Sequence, residues 1–177
     1  AIDDFTKAIK LDAKNPEVYY ERGLMYVILA DYDKAIKDYS KSVSLKPDAD
    51  VYYKMGVLKS KVGEEENAIE DYSKAIDLDS LKAHYYYFRG NSQLRLGIYG
   101  EALFNLNKSI KLDSIDYYHY FKRGVVYHRL HKFNDAVDNF SKCLRLNSNF
   151  PVCYYNRATS YMSSGEYFLA IQVCSEH

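Results

Sequence analysis

The stretch PEVYYERGLMY, residues 16–26, places two adjacent tyrosines shortly before an Arg-Gly pair. Variants of this segment return four times along the chain: VYYKMGVL from Val51, YYYFRGNS from Tyr85, HYFKRGVV from His119 and CYYNRATS from Cys153. The small residue of each copy recurs every 33 or 34 residues, at Gly23, Gly56, Gly90, Gly124 and Ala158. Repetition at this period indicates an array of similar structural units.

A second segment follows each copy of the first, as in KAIKDYSKSVSL from Lys34, and a copy of it, AIDDFTKAIKL, opens the chain. The alanines that mark this second segment recur with the same period, at Ala1, Ala35, Ala68, Ala102, Ala136 and Ala170. Both segments have helical spacing, because their aromatic and small residues recur at intervals of three and four. Glycines at 63, 97 and 165 lie between the segments, where a tight turn needs permissive backbone angles. We therefore predict pairs of helices joined by short turns.

Charge, hydropathy and cysteine content exclude several classes of protein. The 177 residues contain 24 Lys or Arg and 24 Asp or Glu, so the chain lacks the basic surplus typical of nucleic-acid binding. No apolar run is long enough to span a membrane, and the first ten residues have no apolar core of the kind found in a secretory signal. Three cysteines without CxxC spacing indicate reduced thiols. We expect an intracellular, cytoplasmic protein without membrane insertion.

The order of large, small and aromatic residues resembles the tetratricopeptide repeat (TPR) family. The residues that carry the resemblance in one repeat are Tyr52, Gly56, Ala68, Tyr72 and Ala75. The chain departs from the family pattern in having tyrosine in place of tryptophan, and in having the proline after the second helix only once, at Pro47. The resemblance implies an all-α fold, a right-handed TPR superhelix (α-solenoid) of antiparallel helix pairs.

The period sets the predicted boundaries of the repeats. We expect the second helix of a truncated repeat at 1–15, and further repeats at 16–48, 49–81, 82–115, 116–149 and 150–177, the last of them truncated. Because the chain starts and stops inside repeats, we expect it to be a segment of a longer TPR array.

Arginine precedes the small residue in four of the five copies, where the family usually has an apolar residue. A buried guanidinium requires hydrogen-bond acceptors. We predict that these arginines form an inter-repeat polar ladder with residues of the preceding second helix. The arginines are Arg22, Arg89, Arg123 and Arg157, and their expected partners, in the same order, are Asp4, Asp71, Asn105 and Asn139.

The resemblance also implies a place for a partner, because the first helices of TPR units line a concave groove that binds peptides. Carried over by position, the groove residues are Tyr20, Tyr53, Tyr87, Asn91, Phe121, Tyr155, Lys61, Arg95, His128 and Arg129. The rings could bind a partner or could pack against one another. The basic groove residues favour a protein or peptide partner that carries acidic residues, whereas Glu17 and Asp50 make the N-terminal end of the groove acidic.

Some functions are not supported by the residues. The set of Lys, Asn and Arg with which chaperone-binding TPR domains hold a C-terminal carboxylate is incomplete, so the Hsp70 and Hsp90 C-terminal tails are not expected partners. There is no phosphate-binding loop, zinc-binding HExxH helix or nucleophile elbow, so we predict no catalytic residues, no metal and no cofactors. His128 and His131 lie three apart without a third ligand.

We therefore predict a non-catalytic protein–protein interaction module, an adaptor or scaffold that binds a peptide segment in its groove. One alternative is a structural component of a large assembly that uses its convex face and edges. The other is the substrate-recruiting part of a larger enzyme.

Overall fold

The computed structural model describes the backbone of residues 1–175, and it describes side chains as far as Val173. Within this range the chain forms helices and turns, without strands. The helices are α1 (Ile2–Leu11), α2 (Pro16–Ile28), α3 (Tyr32–Leu45), α4 (Ala49–Lys61), α5 (Glu65–Leu78), α6 (Ala83–Arg95), α7 (Tyr99–Leu112), α8 (Tyr117–Arg129), α9 (Phe133–Leu146), α10 (Pro151–Ser164) and α11 (Tyr167–Ser175). The prediction of an all-α array of helix pairs is confirmed.

The helices form two compact units, Ala1–Leu81 (unit 1) and Lys82–His177 (unit 2). In unit 1, α2 packs on α3 and α4 packs on α5, while α1 packs against α2. In unit 2 the corresponding pairs are α6 with α7, α8 with α9, and α10 with α11. We call α2, α4, α6, α8 and α10 the first helices, and their partners the second helices.

Helix ends follow from local sequence. The Asn15 side chain accepts a hydrogen bond from the Glu17 backbone N–H at 3.0 Å, and Pro16 occupies the first helical position of α2. In the turns between paired helices one residue has a positive φ, which glycine adopts without a Cβ clash. This residue is Gly63, Gly97 or Gly165 in three turns, as predicted, but in the other two it is Ala30 and His131, each with φ of 57°.

The two helices of a pair approach most closely at the small residue of the first helix. An added Cβ at Gly56 would lie 2.7 Å from Cε1 of Tyr72, and one at Gly124 would lie 2.7 Å from Cε1 of Phe140. Gly23 has the same relation to Tyr39. All three rings are buried, and each lies sixteen residues after its glycine. This contact therefore sets which residues of the two helices lie side by side.

The partners predicted for Arg22, Arg89 and Arg123 are wrong, because each of these three arginines pairs with the second helix of its own repeat. Arg22 donates to both carboxylate oxygens of Asp38 at 2.7 Å, in the same sixteen-residue register as the glycine contact. Arg89 donates to Asn105 at 2.8 Å and Arg123 to Asn139 at 2.7 Å. Asp4, the partner predicted for Arg22, is instead 77% exposed and lies 3.9 Å from Lys7.

The repeat that has Met55 in place of arginine keeps its buried acid. Lys59, one helical turn after Met55, lies 2.7 Å from Asp71. Burial raises the pKa of Asp71, and the Lys59 ammonium opposes this shift. Asp71 was predicted to pair with Arg89, whereas the structure shows it paired with a cation of its own repeat.

The arginines also form hydrogen bonds between repeats, through a second guanidinium nitrogen. Arg22 Nη1 donates to Thr6 at 3.1 Å, Arg123 Nη1 to Asn107 at 2.7 Å, and Arg157 Nη1 to Ser141 at 3.4 Å. Each of these acceptors lies sixteen residues before its arginine, on the preceding second helix. An arginine of this type therefore joins its own helix pair to the previous one.

The glycine contact makes a testable prediction. Gly56→Val should lower the free energy of unfolding by about 1–3 kcal/mol, because the added side chain would overlap the fully buried Tyr72 ring. Gly100→Ala is the matched control: nothing lies within 4 Å of a Cβ at Gly100, so this change should leave the stability equal or raise it by up to about 1 kcal/mol. Urea unfolding followed by circular dichroism measures both, and equal stability of the two variants would contradict the assignment.

The arginine partners make a second prediction, for double-mutant cycles. The cycle between Arg22→Ala and Asp38→Ala should give a coupling energy of about 1–3 kcal/mol, because the two side chains share a bidentate, largely buried ion pair. The cycle between Arg22→Ala and Asp4→Ala should be additive within about 0.5 kcal/mol. Thermal or urea unfolding supplies the four stabilities of each cycle, and a larger coupling to Asp4 would restore the partner predicted from the sequence.

Candidate functional site

The candidate site is the side of the first helices that does not pack on the second helices, which we call the inner face. In unit 1 this face carries a cavity of about 310 Å³ between α2 and α4. Its lining is almost entirely apolar, formed by Leu24, Val27, Tyr39, Tyr53, Val57 and Leu58, with Lys54 at one side. A space of this size and composition suits an apolar side chain of a partner.

Tyr20 of α2 and Tyr53 of α4 are predicted groove residues in unit 1, and both are half-buried. The Tyr20 ring stacks on Tyr39 with centroids 5.8 Å apart, and the Tyr53 ring is tilted against Tyr72 at 6.2 Å. Burial raises the pKa of Tyr53. Each ring thus combines a packed side with a partly accessible side, so that packing and partner contact are compatible.

Two lysines near the inner face of unit 1 hydrogen-bond to tyrosine hydroxyl groups. Lys54 Nζ hydrogen-bonds the Tyr20 hydroxyl, and the two residues also line a second cavity of about 290 Å³ that Glu17 and Asp50 make acidic. Lys61, predicted as a groove residue, is exposed and donates to the Tyr32 hydroxyl of α3 at 2.6 Å. Its ammonium is therefore held at the end of the helix pair.

In unit 2 the three predicted rings differ in exposure. Tyr155 on α10 is 71% exposed. Tyr87 on α6 is half-buried between Phe88 and His119, at centroid distances of 5.2 and 5.0 Å, and burial raises its pKa. Phe121 on α8 is only 9% exposed.

The prediction that Phe121 presents a ring to the groove is wrong. Its ring packs edge-on against Phe150 at 5.1 Å and lies 5.9 Å from Phe140 of α9. Phe150 is the N-cap residue of α10, at the position that Asp116 occupies before α8. The Phe121 ring is therefore packed against other rings and is not presented to solvent.

The residue after Phe121 provides the most distinctive polar feature of the inner face. Lys122 is partly buried, and no carboxylate within the described part of the chain pairs with its ammonium. Burial and the nearby Arg95 guanidinium both lower the pKa of Lys122. Lys122 is not among the groove residues predicted from the sequence, although its position directly after the second ring of a doublet was a usable signal.

Asn91 and Arg95 are separated by one turn of α6. Asn91 is half-buried, and its side-chain oxygen is enclosed without a hydrogen-bond partner among the residues that the structure describes. Arg95 is exposed and Arg129 of α8 is also exposed. Together with Lys122, these residues give unit 2 a cationic inner face with an unsatisfied amide oxygen.

The His128 side chain forms a hydrogen bond within unit 2. Its Nδ1 lies 2.9 Å from Oγ of Ser160 on α10, and the Ser160 hydroxyl itself donates to the Asn156 carbonyl at 2.8 Å. The serine therefore accepts from His128, which assigns the proton to Nδ1. The ring also packs edge-on against Phe133 at 5.3 Å. The predicted groove residue thus joins α8 to α10.

The chain-wide charge balance conceals a strong asymmetry between the two units. Residues 1–81 contain 12 Lys or Arg and 17 Asp or Glu, whereas residues 82–177 contain 12 Lys or Arg and 7 Asp or Glu. A net charge of zero therefore says little about either inner face. Unit 1 therefore carries a net negative formal charge and unit 2 a net positive one.

The residues that the structure describes contain neither a metal-ion site nor a membrane-spanning helix. No three His, Cys, Asp or Glu side chains come together there as a metal ion would require. Nor does any helix in that range have the length and apolar character needed to cross a membrane.

The contact of His128 makes a prediction for the pH dependence of stability. Burial, and then the charges of Arg129 and His131, lower the pKa of His128 in the folded chain. The unfolded chain, with a histidine pKa of about 6.5, therefore takes up this proton at a higher pH than the folded chain does. The free energy of unfolding should be fully retained above about pH 6.5 and should fall as the pH drops below it.

The measurement is urea unfolding of the wild type and His128→Gln at a series of pH values from about 7.5 to 5. The wild type should lose more stability than the variant over this range, because glutamine keeps a hydrogen-bond donor but does not titrate. Identical pH profiles would show that His128 does not contribute.

Comparison with known proteins identifies the repeats. The family model described as tetratricopeptide repeat matches residues 16–48, and a second model with the same description matches 49–80, 83–116 and 120–150. Together the matches cover well over half of the chain.

Among curated proteins, the chain is 48% identical over 48 residues to the heat shock protein sti1 homolog of Schizosaccharomyces pombe, covering 27% of this chain and 8% of that protein. It is 57% identical over 35 residues to the mitochondrial import receptor subunit TOM70 of Saccharomyces cerevisiae, covering 20% of this chain and 6% of that protein. The chain thus matches less than a tenth of the length of each relative.

Solved structures agree over a much larger part of the chain. MamA matches with a TM-score of 0.87 and 24% identity, over 90% of this chain and 88% of MamA. YrrB, described as a TPR protein with an unusual peptide-binding site, matches with a TM-score of 0.82 and 20% identity, over 98% of this chain and 90% of YrrB. At this identity the agreement establishes the fold alone. With the family models it leads to one conclusion: this chain belongs to the tetratricopeptide repeat family.

Proposed function

We propose that this chain is a non-catalytic protein-interaction module that binds peptide segments of a partner on the inner faces of its helix pairs. TPR repeats in general serve interactions between proteins, and the relatives that match here include a structure described by its peptide-binding site. The proposal for this chain depends on its own residues and assigns a different part of the recognition to each unit.

The observation that carries the proposal is the partly buried ammonium of Lys122, which lies 5.8 Å from the centroid of the Phe121 ring and pairs with no carboxylate among the described residues. A desolvated cation beside a second cation is destabilised, as its lowered pKa indicates. A carboxylate from a partner would remove this destabilisation, so the free energy gained on binding would exceed that of a solvated surface pair. The low acid content of unit 2 leaves this site without competing carboxylates of its own.

Neighbouring groups add to the recognition of an acidic segment. Arg95 and Arg129 extend the positive charge, and Tyr155 offers an exposed ring. These groups favour an extended segment in which acidic residues alternate with apolar ones.

Unit 1 supplies a place for an apolar side chain. The cavity between α2 and α4 has a volume of about 310 Å³ and a nearly nonpolar lining. Burial of one leucine- or phenylalanine-sized side chain there would contribute about 1.5–3 kcal/mol. Aromatic rings such as Tyr53 provide contact area while losing little rotamer entropy.

The test uses two fluorescent probe peptides, one built from leucines and glutamates and a twin in which every glutamate is replaced by glutamine. Fluorescence anisotropy should show tighter binding of the glutamate peptide, with an affinity that falls as salt is added. Lys122→Gln should weaken that binding about tenfold, equivalent to about 1.4 kcal/mol, and should leave the glutamine twin unaffected.

Lys111→Gln is the matched control, because Lys111 is an exposed lysine of α7, on a second helix, and its loss changes the net charge by the same amount. It should change the affinity less than about twofold. Equal affinity for the two peptides, no binding of either, or an equal loss in both variants would contradict the proposed function.

A further inference from the structure

Two buried thiols meet where α9 packs against α10. Cys143 lies in the last turns of α9 and Cys153 in the first turn of α10, and both side chains are 0% exposed. They belong to one cluster of core residues. The Cys153 sulfur lies 3.4 Å from the Phe140 carbonyl oxygen and within hydrogen-bond reach of the Cys143 sulfur.

Packing alone does not require sulfur at these positions. The corresponding residues at the joint between α3 and α4 are Ser42 and Val51, and at the joint between α7 and α8 they are Ser109 and His119. All four are buried. A serine on the second helix therefore fills the position of Cys143 in other repeats, and the position of Cys153 accepts side chains of different chemistry.

We propose that Cys143 and Cys153 form a redox-active dithiol that closes to a disulfide by exchange with a low-molecular-weight disulfide, so that α9 and α10 become covalently joined. The Cys143 thiolate attacks one sulfur of the small disulfide and releases one thiolate. Cys153 then loses its proton and attacks the Cys143 sulfur of the mixed disulfide, releasing the second small thiolate. Two protein thiols are oxidised and one small disulfide is reduced to two thiols.

The two thiols have different roles because their surroundings differ. The hydrogen bond with Cys153 lowers the pKa of Cys143, whereas the same bond and burial raise the pKa of Cys153. The Cys153 S–H also donates to the Phe140 carbonyl oxygen at 3.4 Å, and a hydrogen bond that only the protonated thiol can donate favours that form. We therefore assign Cys143 as the thiol that attacks the oxidant and Cys153 as the resolving thiol. Lowered basicity of Cys143 also makes it the better leaving group when the disulfide is reduced again.

Burial determines how fast the exchange proceeds. Neither sulfur is accessible in the closed structure, so the oxidant reaches Cys143 when α10 opens locally from α9. The rate of oxidation then follows the frequency of this opening. Once formed, the bond opposes the same opening, since Cys143 and Cys153 are only ten residues apart and the helices can no longer separate.

The joint also affects the inner face of unit 2. Tyr155 lies two residues after Cys153 on α10, and His128 of α8 bonds Ser160 of the same helix. Oxidation therefore fixes the helix that carries the most exposed of the predicted groove rings. The inference concerns this joint itself and does not require that the inner face binds a peptide.

The experiment begins from Cys174→Ser, which leaves only Cys143 and Cys153 in the chain. The folded protein is incubated with oxidised glutathione, unfolded in acid, alkylated and weighed by mass spectrometry. The expected product has lost both alkylation sites, yields a peptide that joins Cys143 to Cys153, and unfolds at a temperature about 5 °C higher, reversibly with dithiothreitol.

Matched controls use the residues that other repeats have at the same positions. Cys143→Ser follows Ser42 and Ser109, and Cys153→Val follows Val51, so each variant should fold and retain one thiol. Neither should gain thermal stability on oxidation. Three results would overturn the inference: mixed disulfides that never close, a Cys143–Cys153 bond that forms in urea and not in the folded chain, or a bond that lowers the unfolding temperature.

Discussion

The close approach of a small residue on a first helix to a ring on the second helix, sixteen residues later, is the contact on which the other packing depends. Gly23, Gly56 and Gly124 leave no space for a side chain between backbone and ring. Because a Cβ would overlap the ring, the helices can lie this close only with glycine. The contact fixes the relative position of the two helices, and the hydrogen bonds between them follow from it.

The same sixteen-residue offset between the two helices determines which side chain each arginine contacts. The residue before each glycine meets the residue before each ring, and Arg22 accordingly meets Asp38 in a bidentate ion pair. In unit 2 the same position of the second helix has Asn105 or Asn139, which accept the hydrogen bond without neutralising the charge. The replacement of acids by amides is one source of the positive charge of unit 2.

Sequence periodicity predicted the helices, the turns at Gly63, Gly97 and Gly165, and the close approach at Gly56, because each depends on residues near one another in the chain. It failed for the arginine partners for a geometric reason. Asp4 and Asp38 occupy the same position in successive repeats, so a period alone cannot decide which of them Arg22 meets. The packing of α2 on α3 brings Arg22 to Asp38.

The candidate site was predictable to a similar extent. The repeat pattern predicted a ring on the first helix of each repeat, and of these rings Tyr155 is exposed. It could not anticipate that Phe150, the N-cap residue of α10, would pack against Phe121. It also could not distinguish a partly buried cation such as Lys122 from the solvated lysines around it, since burial depends on how neighbouring helices pack.

The turns at Ala30 and His131 have a consequence for engineering the chain. Both residues adopt a left-handed backbone conformation, φ 57°, that elsewhere in the array is occupied by glycine, and an L-residue in this conformation carries about 1–2 kcal/mol of strain. The turns that connect α2 to α3 and α8 to α9 are therefore strained. Relieving this strain offers a route to a more heat-resistant scaffold that leaves the core and the inner face untouched.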